Sequence, residues 1–339
     1  MSPHVVHVVV TDSFAGVERY VATAATGLCR RGWTVSVIGG EAGLMNSGPE
    51  PGFAHYEVTG ILSTARQLAR CRPVDLVHAH LTSAELAATV SAPLLRAAVL
   101  TTRHFAARRG STLRGQIVAP LIRGRLAVQL APSRYVADLT REDCRVLFSG
   151  VPNIARSDDP RDRTILVLQR LEPEKSTDVA VSAFAASGLA QSGWRLVVAG
   201  RGSLEAALRT QAHESGLRDS VDFVGFVRDP SELLARASML LAPRADEAFG
   251  LSVAEAMAVG LPVVAAGSGA HPELLGAGGW MFPPGDSCRA AKLLRHLAED
   301  AELASAYGEE LRSRQQELFS LDAHLDGLER VYRDVLTRR

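Results

Sequence analysis

No run of about 18 uncharged apolar residues occurs anywhere in the 339-residue chain, so no segment reads as a membrane-spanning helix. The opening MSPHVVHVVV lacks the basic region and the small-residue cleavage site of a secretory signal, and a cytoplasmic location is expected. Cysteine is scarce: Cys29, Cys71, Cys144 and Cys288 lie far apart, without C-x-x-C pairing. That pattern excludes a disulfide framework and a zinc site, and fits reduced thiols. Lysine is missing from the first 150 residues, where 16 arginines face 10 acids, a balance of +6. The remaining residues carry 21 bases and 27 acids, a balance of −6, so a formal net charge of zero hides a polarised chain.

What is present is a full complement of core-forming residues, 47% of the chain, enough for two domains of ordinary size. Short β-rich runs alternate with helical patterns. In the first half the strand candidates are Val5–Val10, Thr34–Gly39, Asp75–Leu81, Val99–His104, Leu126–Ala131 and Arg145–Phe148. Helices are expected between them, for example over Val17–Arg30 and Ala84–Ala97. The second half repeats the rhythm at Thr164–Leu168, Arg195–Ala199, Val221–Val224, Met239–Ala242 and Pro262–Ala265. Strands apolar on both faces and alternating with helices predict an α/β fold of two doubly wound, Rossmann-like domains with parallel sheets. GVPNIARSDDPRDR, residues 150–163, is polar and rich in Pro, Asp and Arg, and reads as the linker. Ligands of such sheets bind at the carboxyl ends of the strands, which points to a cleft between the facing domains.

One stretch concentrates polar residues at such a strand end. In DEAFGLSVAEAMAVGLPVV, residues 246–264, Glu247 and Glu255 sit on either side of Phe249-Gly250-Leu251. Gly250 and Leu251 are expected to open a helix whose free N–H groups suit a diphosphate. Glu247 is placed for sugar hydroxyls and Glu255 for a vicinal diol such as a ribose. Two carboxylates alone would read as a first-turn acid and a solvated face residue; their setting decides otherwise.

That setting resembles the E-x7-E motif of glycosyltransferase family 4, the retaining enzymes with the GT-B fold. ILVLQRLEPEKSTDVAVSAFA, RLVVAGRGSLEAAL, VDFVGFVRDPSELLARASMLLAPRADEAFGLSVAEAMAVGLPVVAAGSGAHPELL and GGWMFPPGD follow in that family's order. FAGVERYV, DLVHAHL, TTRHF, APSRYVADL and SGVPN take the corresponding places in the first half. The resemblance covers nearly the whole chain. It implies an acceptor domain over 1–155, a donor domain over 156–320 and a last helix over 321–339 that returns to the first domain. It further implies that Arg170 and Lys175 clamp the donor diphosphate, as paired cations stabilise a leaving anion. Glu247 and the backbone of Phe249, Gly250 and Leu251 would meet sugar and phosphate, and Glu255 the ribose. Gly16, Gly202 and Val227 join the donor-binding set, and His104 would touch the transferred sugar. The expected reaction is transfer from a UDP- or GDP-linked sugar to an unidentified acceptor by front-side displacement. A sugar-nucleotide epimerase of the same fold, or a non-catalytic nucleotide-sugar or glycan-binding module, is the alternative. The sequence departs from the family at Ala15, Gln169 and Ser176, where glycine is usual.

No cofactor or metal is expected. No Asp-x-Asp pair occurs, so Arg170, Lys175 and a helix dipole would do the work of a bridging cation. His78 and His80 share one strand face, but no third ligand stands near them in the sequence. Gly200 and Gly202 in GRGSL lack the third glycine of a dinucleotide loop. Nucleic acid is not an expected partner. From Glu85 to Asp138 there is no acid between, but there are eight arginines, including Arg103, Arg108, Arg109, Arg114, Arg123 and Arg125. A solvated arginine-rich face is one reading of the segment. An anionic acceptor, or peripheral contact with an anionic membrane, is the other, with Pro120 and two glycines interrupting the helix.

Overall fold

The computed structural model describes residues 2–45, 50–91, 94–105, 113–140, 142–155 and 160–338, with the side chains of 113–117 outside the description. Residues 1–150 with 321–339 form one compact unit and 151–320 a second.

The first unit holds seven strands: β1 (His4–Val9), β2 (Thr34–Ile38), β3 (Phe53–Tyr56), β4 (Leu76–His80), β5 (Ala98–Thr102), β6 (Leu126–Ala131) and β7 (Arg145–Val146). All pair in parallel, in the order β3-β2-β1-β4-β5-β6-β7. Valines at 5, 6, 8 and 9 are wholly buried, as a strand covered by helices on both faces requires. The β1–β4 register sets His7 beside His78, and β4–β5 sets His80 beside Thr102. The helix Leu321–Thr337 packs on this unit: a Cβ at Gly27 would meet Leu325 Cδ1 at 2.5 Å, and Trp33 Nε1 donates to Glu329 Oε1 at 2.8 Å.

The second unit holds β8 (Thr164–Leu168), β9 (Arg195–Ala199), β10 (Val221–Gly225), β11 (Met239–Ala242), β12 (Val263–Ala266) and β13 (Trp280–Phe282), parallel in the order β10-β9-β8-β11-β12-β13. The winding reverses between β1 and β4 in one sheet and between β8 and β11 in the other, and the loops after these strands are the expected ligand positions. The end of the predicted linker is tied into the second unit, since Arg161 donates to the carbonyls of Ala237 and Val259, both at 2.8 Å.

Strands β3 and β13 were not expected from the sequence. Both are short sheet edges, and β3 is nowhere fully buried, so neither carries a long apolar run. The helix expected over Ala84–Ala97 runs instead over Thr82–Ser91, and Leu95–Ala97 are non-helical ahead of β5. No helix among the described residues is long and apolar enough to cross a membrane.

Candidate functional site

In the second unit, the loops after β8 and β11 bring Lys175 and Glu247 together. Lys175 Nζ lies 3.0 Å from Glu247 Oε2, with side-chain exposures of 13% and 18%, so this is a semi-buried pair and not a surface one. Arg244 NH1 stands 3.5 Å from the same oxygen, and its Nε is buried without a hydrogen-bond partner. Sequence reasoning missed Arg244, although its place three residues before Glu247, just after a buried strand, was a usable signal. Burial pushes the Lys175 ammonium down from its ordinary value, against the opposing pull of Glu247. Burial alone would raise Glu247, but Lys175 and then Arg244 outweigh it and hold the carboxyl below its ordinary value.

The loop that carries Lys175 is fastened by one of the departures from the family pattern. Gln169 Nε2 donates to the Lys175 carbonyl and to Thr177 Oγ1, both at 2.9 Å. Ser176, another departure, sits at φ 52°, a left-handed conformation that costs a side-chain-bearing residue about 1–2 kcal/mol. Arg170 is not joined to the Lys175–Glu247 pair; it is 55% exposed and pairs at 2.8 Å with Glu174, one turn away. Gly202 has a structural reason to be glycine: a Cβ there would lie 2.2 Å from the Leu171 carbonyl oxygen. The helix Leu251–Ala258 opens at Gly250, φ 96°, as expected. Glu255 lies within it and is 3% exposed, which rules out the solvated-face reading. Phe249 turns its ring into the core, 5.9 Å from that of Phe319, leaving its backbone for any ligand. Val227 follows β10, at the far edge of the sheet from β13, and is half-buried.

In the first unit, Gly16 opens the helix Gly16–Arg30, and Ala15 caps it in an extended conformation that needs no glycine. Glu18 is buried, accepting from Ala15 N at 2.9 Å and Thr11 Oγ1 at 2.8 Å, so it closes the loop after β1. His104 stands two residues beyond β5, half-buried, with Nε2 3.0 Å from His80 Nδ1.

The expectation that His78 and His80 have no third histidine is corrected here. His7 joins them from β1, and the three rings place ligand-type nitrogens within 4.8 Å of one another. Parallel pairing did this: residues 71 positions apart became neighbours by register, which spacing along the chain does not reveal. All six nitrogens are in hydrogen-bond contact. His7 Nδ1 meets His80 Nε2 at 3.0 Å, and His7 Nε2 meets Tyr332 Oη at 3.3 Å. His78 meets Tyr332 Oη at 2.7 Å and Thr102 Oγ1 at 2.8 Å. Burial pushes His7 and His104 down to about 3 and drives His78 and His80 well below their ordinary value.

The arginine-rich segment also differs from expectation. Arg103 is 7% exposed and stands 3.6 Å from the buried Glu85, so it belongs to the core and not to a basic face. Arg123 pairs with Glu142 at 3.1 Å. Pro120 does not interrupt its helix, which runs over Leu113–Arg123. Arg108, Arg109 and the Arg114 side chain lie outside the described residues.

Two family models match the chain: the one described as Glycosyl transferases group 1 over residues 154–314, and the one described as Glycosyltransferase Family 4 over residues 14–149. An exopolysaccharide phosphotransferase of Streptomyces coelicolor is 33% identical over 201 residues, 57% of this chain and 21% of that protein. The GDP-mannose-dependent alpha-(1-6)-phosphatidylinositol dimannoside mannosyltransferase of Mycobacterium tuberculosis is 40% identical over 111 residues, 32% of this chain and 28% of that protein. The chain therefore spans less than a third of the length of either relative. Among solved structures, Anabaena HepE in complex with UDP and glucose matches with a TM-score of 0.83 at 17% identity, covering 96% of this chain and 98% of that one. The fold is GT-B.

Proposed function

From the premise that the chain belongs to the glycosyltransferases of the group 1 and family 4 type, we propose that it moves a hexosyl unit from a nucleotide-diphosphate sugar to an acceptor, with retention at the anomeric carbon. The observation that carries this reading is the group Lys175, Arg244 and Glu247 at the carboxyl ends of β8 and β11, the strands at which the sheet reverses. A nucleoside diphosphate leaves as an anion. Two cations and the N-terminus of the helix Leu251–Ala258 supply positive potential where that charge develops. Glu247, held ionised between Lys175 and Arg244, is an acceptor for sugar hydroxyls. On this reading the donor nucleoside is uridine or guanosine, the reaction is cytoplasmic, and the first unit takes the acceptor. Thermal-shift screening against UDP, GDP and ADP, followed by mass spectrometry of donor and acceptor mixtures, tests the reading. Absence of any nucleotide-dependent stabilisation would sink it.

Two further results are expected. Glu255→Gln should weaken UDP or GDP binding about tenfold, the loss of one charge-assisted hydrogen bond to the ribose. Glu247→Gln should spare nucleotide affinity and lower transfer. Calorimetric titration of both variants decides, and equal losses of affinity would contradict the division of labour. Activity should also survive excess EDTA, because Arg170 and Lys175 take the part of a bridging cation. Loss of turnover that Mn²⁺ or Mg²⁺ restores would give that part to a metal.

A further inference from the structure

Beside the Lys175–Glu247 pair, the second unit holds a buried imidazole whose hydrogen bonding is only half complete. His271 opens the short helix His271–Leu275 after β12 and is 1% exposed. Its Nδ1 lies 2.9 Å from the Ala266 carbonyl oxygen. A carbonyl only accepts, so the proton of the neutral ring is on Nδ1 and Nε2 carries a lone pair. No described residue hydrogen-bonds Nε2. Unlike Arg244 Nε, it is not sealed from solvent, so a ligand atom can reach it.

The loop that carries His271 is stitched to the loop that carries Glu247. Ala270 N donates to the Glu247 carbonyl at 2.9 Å, and Ser268 Oγ donates to the Ala245 carbonyl at 2.5 Å. The two loops run so close at Gly269, φ 63°, that a Cβ there would lie 2.6 Å from Glu247 N. Both side chains then converge on the start of the helix Leu251–Ala258. A Cβ at Gly250 would stand 3.5 Å from Glu247 Cγ and 3.6 Å from His271 Cδ2, the ring carbon bonded to Nε2. The free edge of the ring therefore faces the same corner at Gly250 as Glu247 does.

A residue that only filled this corner would be apolar, because a buried nitrogen without a partner costs stability. The chemistry of Nε2 selects its partner. Burial pushes His271 below its ordinary value; the Ala266 carbonyl and Glu247 favour the proton, while Lys175 and Arg244 oppose it. The ring is neutral at neutral pH. A neutral Nε2 accepts and does not donate, so a phosphate oxygen, which brings only lone pairs, is no partner for it. A hydroxyl is. The corner thus divides in two. Lys175, Arg244 and the N–H groups at the helix start suit the diphosphate, while Glu247 and His271 are two acceptors for hydroxyl groups.

We propose that His271 is a specificity-determining residue for the donor sugar: its Nε2 accepts a hydrogen bond from one sugar hydroxyl, alongside Glu247. This rests on the proposed transfer from a nucleotide-diphosphate sugar, and narrows it to sugars that carry a free hydroxyl at this corner. A donor lacking that hydroxyl leaves Nε2 unpaired beneath the ligand. A site built to hydrogen-bond a substrate hydroxyl discriminates against the analogue without it for this reason. Spacing along the chain gives no sign of the contact, because the two loops are brought together by the parallel pairing of β11 with β12.

The test is calorimetric, on the full chain, with UDP, GDP, UDP-glucose, GDP-mannose and the deoxyfluoro versions of both sugar nucleotides, in which fluorine replaces one hydroxyl and cannot donate. His271→Asn keeps an N–H for the Ala266 carbonyl and removes the acceptor at Nε2. His271→Phe keeps a ring and removes both nitrogens, and stands if His271→Asn does not fold. Wild type should bind a sugar nucleotide and lose about tenfold in affinity for one of its deoxyfluoro versions, the worth of one hydrogen bond. Each folded variant should lose about tenfold on the parent sugar nucleotide, keep its UDP or GDP affinity, and be indifferent to that same fluorine. A fluorine penalty as large in the folded variants as in wild type overturns the proposal, as does the absence of any penalty in wild type. Equal losses of bare UDP or GDP affinity overturn it too, since His271 would then merely prop the loop. Wild type that binds UDP or GDP but neither sugar nucleotide removes this inference alone, whereas no binding of UDP or GDP removes the transfer reading with it.

Discussion

Lys175→Ala is expected to lower kcat by about 100-fold or more, the loss seen when a cation that stabilises transition-state charge is deleted. Its ammonium is 13% exposed and fixed 3.0 Å from Glu247, on a loop fastened by Gln169, so it meets a departing phosphate without reorganising. Burial disfavours its charge and Glu247 restores part of that cost. The substitution also leaves Glu247 paired with Arg244 at 3.5 Å, so the thermal midpoint has to be followed beside kcat. Arg170→Ala should lower kcat to a similar extent for a different reason. Arg170 is half-exposed and its pair with Glu174 is a surface one, worth about 1 kcal/mol at most, so it is free to turn to a diphosphate. Stability should barely change in that variant. Near-normal turnover in both, with donor saturating, would remove the clamp from the mechanism.

The central strands were legible in the sequence because they are buried on both faces and therefore read as unbroken apolar runs. Thr164–Leu168 and Met239–Ala242 fall where the apolar runs put them. Phe53–Tyr56 and Trp280–Phe282 escaped because an edge strand pairs on one side only, and each has too few buried residues to stand out from a loop. The helix start at Gly250 was also legible, but the direct Lys175–Glu247 pair was not, since the motif reading set Lys175 with Arg170, which pairs with Glu174 instead.

What spacing along the chain could not show is what parallel register assembles. His7, His78, Thr102 and Tyr332 come from three strands and the last helix, and nothing in the sequence ties them together. Arg103 illustrates the converse error. A charge pattern counted it as part of a basic face, whereas its guanidinium lies over the buried Glu85. Charge counts carry no information about burial; partners do.

Acidification should unfold the first unit well before the second. For a histidine whose folded pKa lies below its unfolded value, the unfolded chain binds more protons as pH falls, so stability is complete above about 6.5 and declines below it. His7 at about 3 and His324 at about 4, with His78 and His80 also far down, put that window between roughly 6.5 and 4. Their partners are hydroxyls, a carbonyl and one another, so no carboxylate is in hydrogen-bond contact to keep a proton on any of these rings in the folded state. Each costs about 1.4 kcal/mol per pH unit below 6.5, so His7 and His324 alone remove roughly 3 kcal/mol by pH 5.5, and His78 and His80 act in the same direction. The chain has three tryptophans, and Trp33 packs edge-on against Tyr332 with ring centroids 5.4 Å apart. With Trp194→Phe and Trp280→Phe in place, its fluorescence reports the first unit alone. Urea titrations at pH 7.5 and 5.5 should then differ by roughly 3 kcal/mol or more in extrapolated stability, against a smaller change for the second unit, where His271 is the buried histidine. A difference below about 1 kcal/mol would mean that the histidine chain takes up protons without opening, and that its rings are not held neutral by the fold.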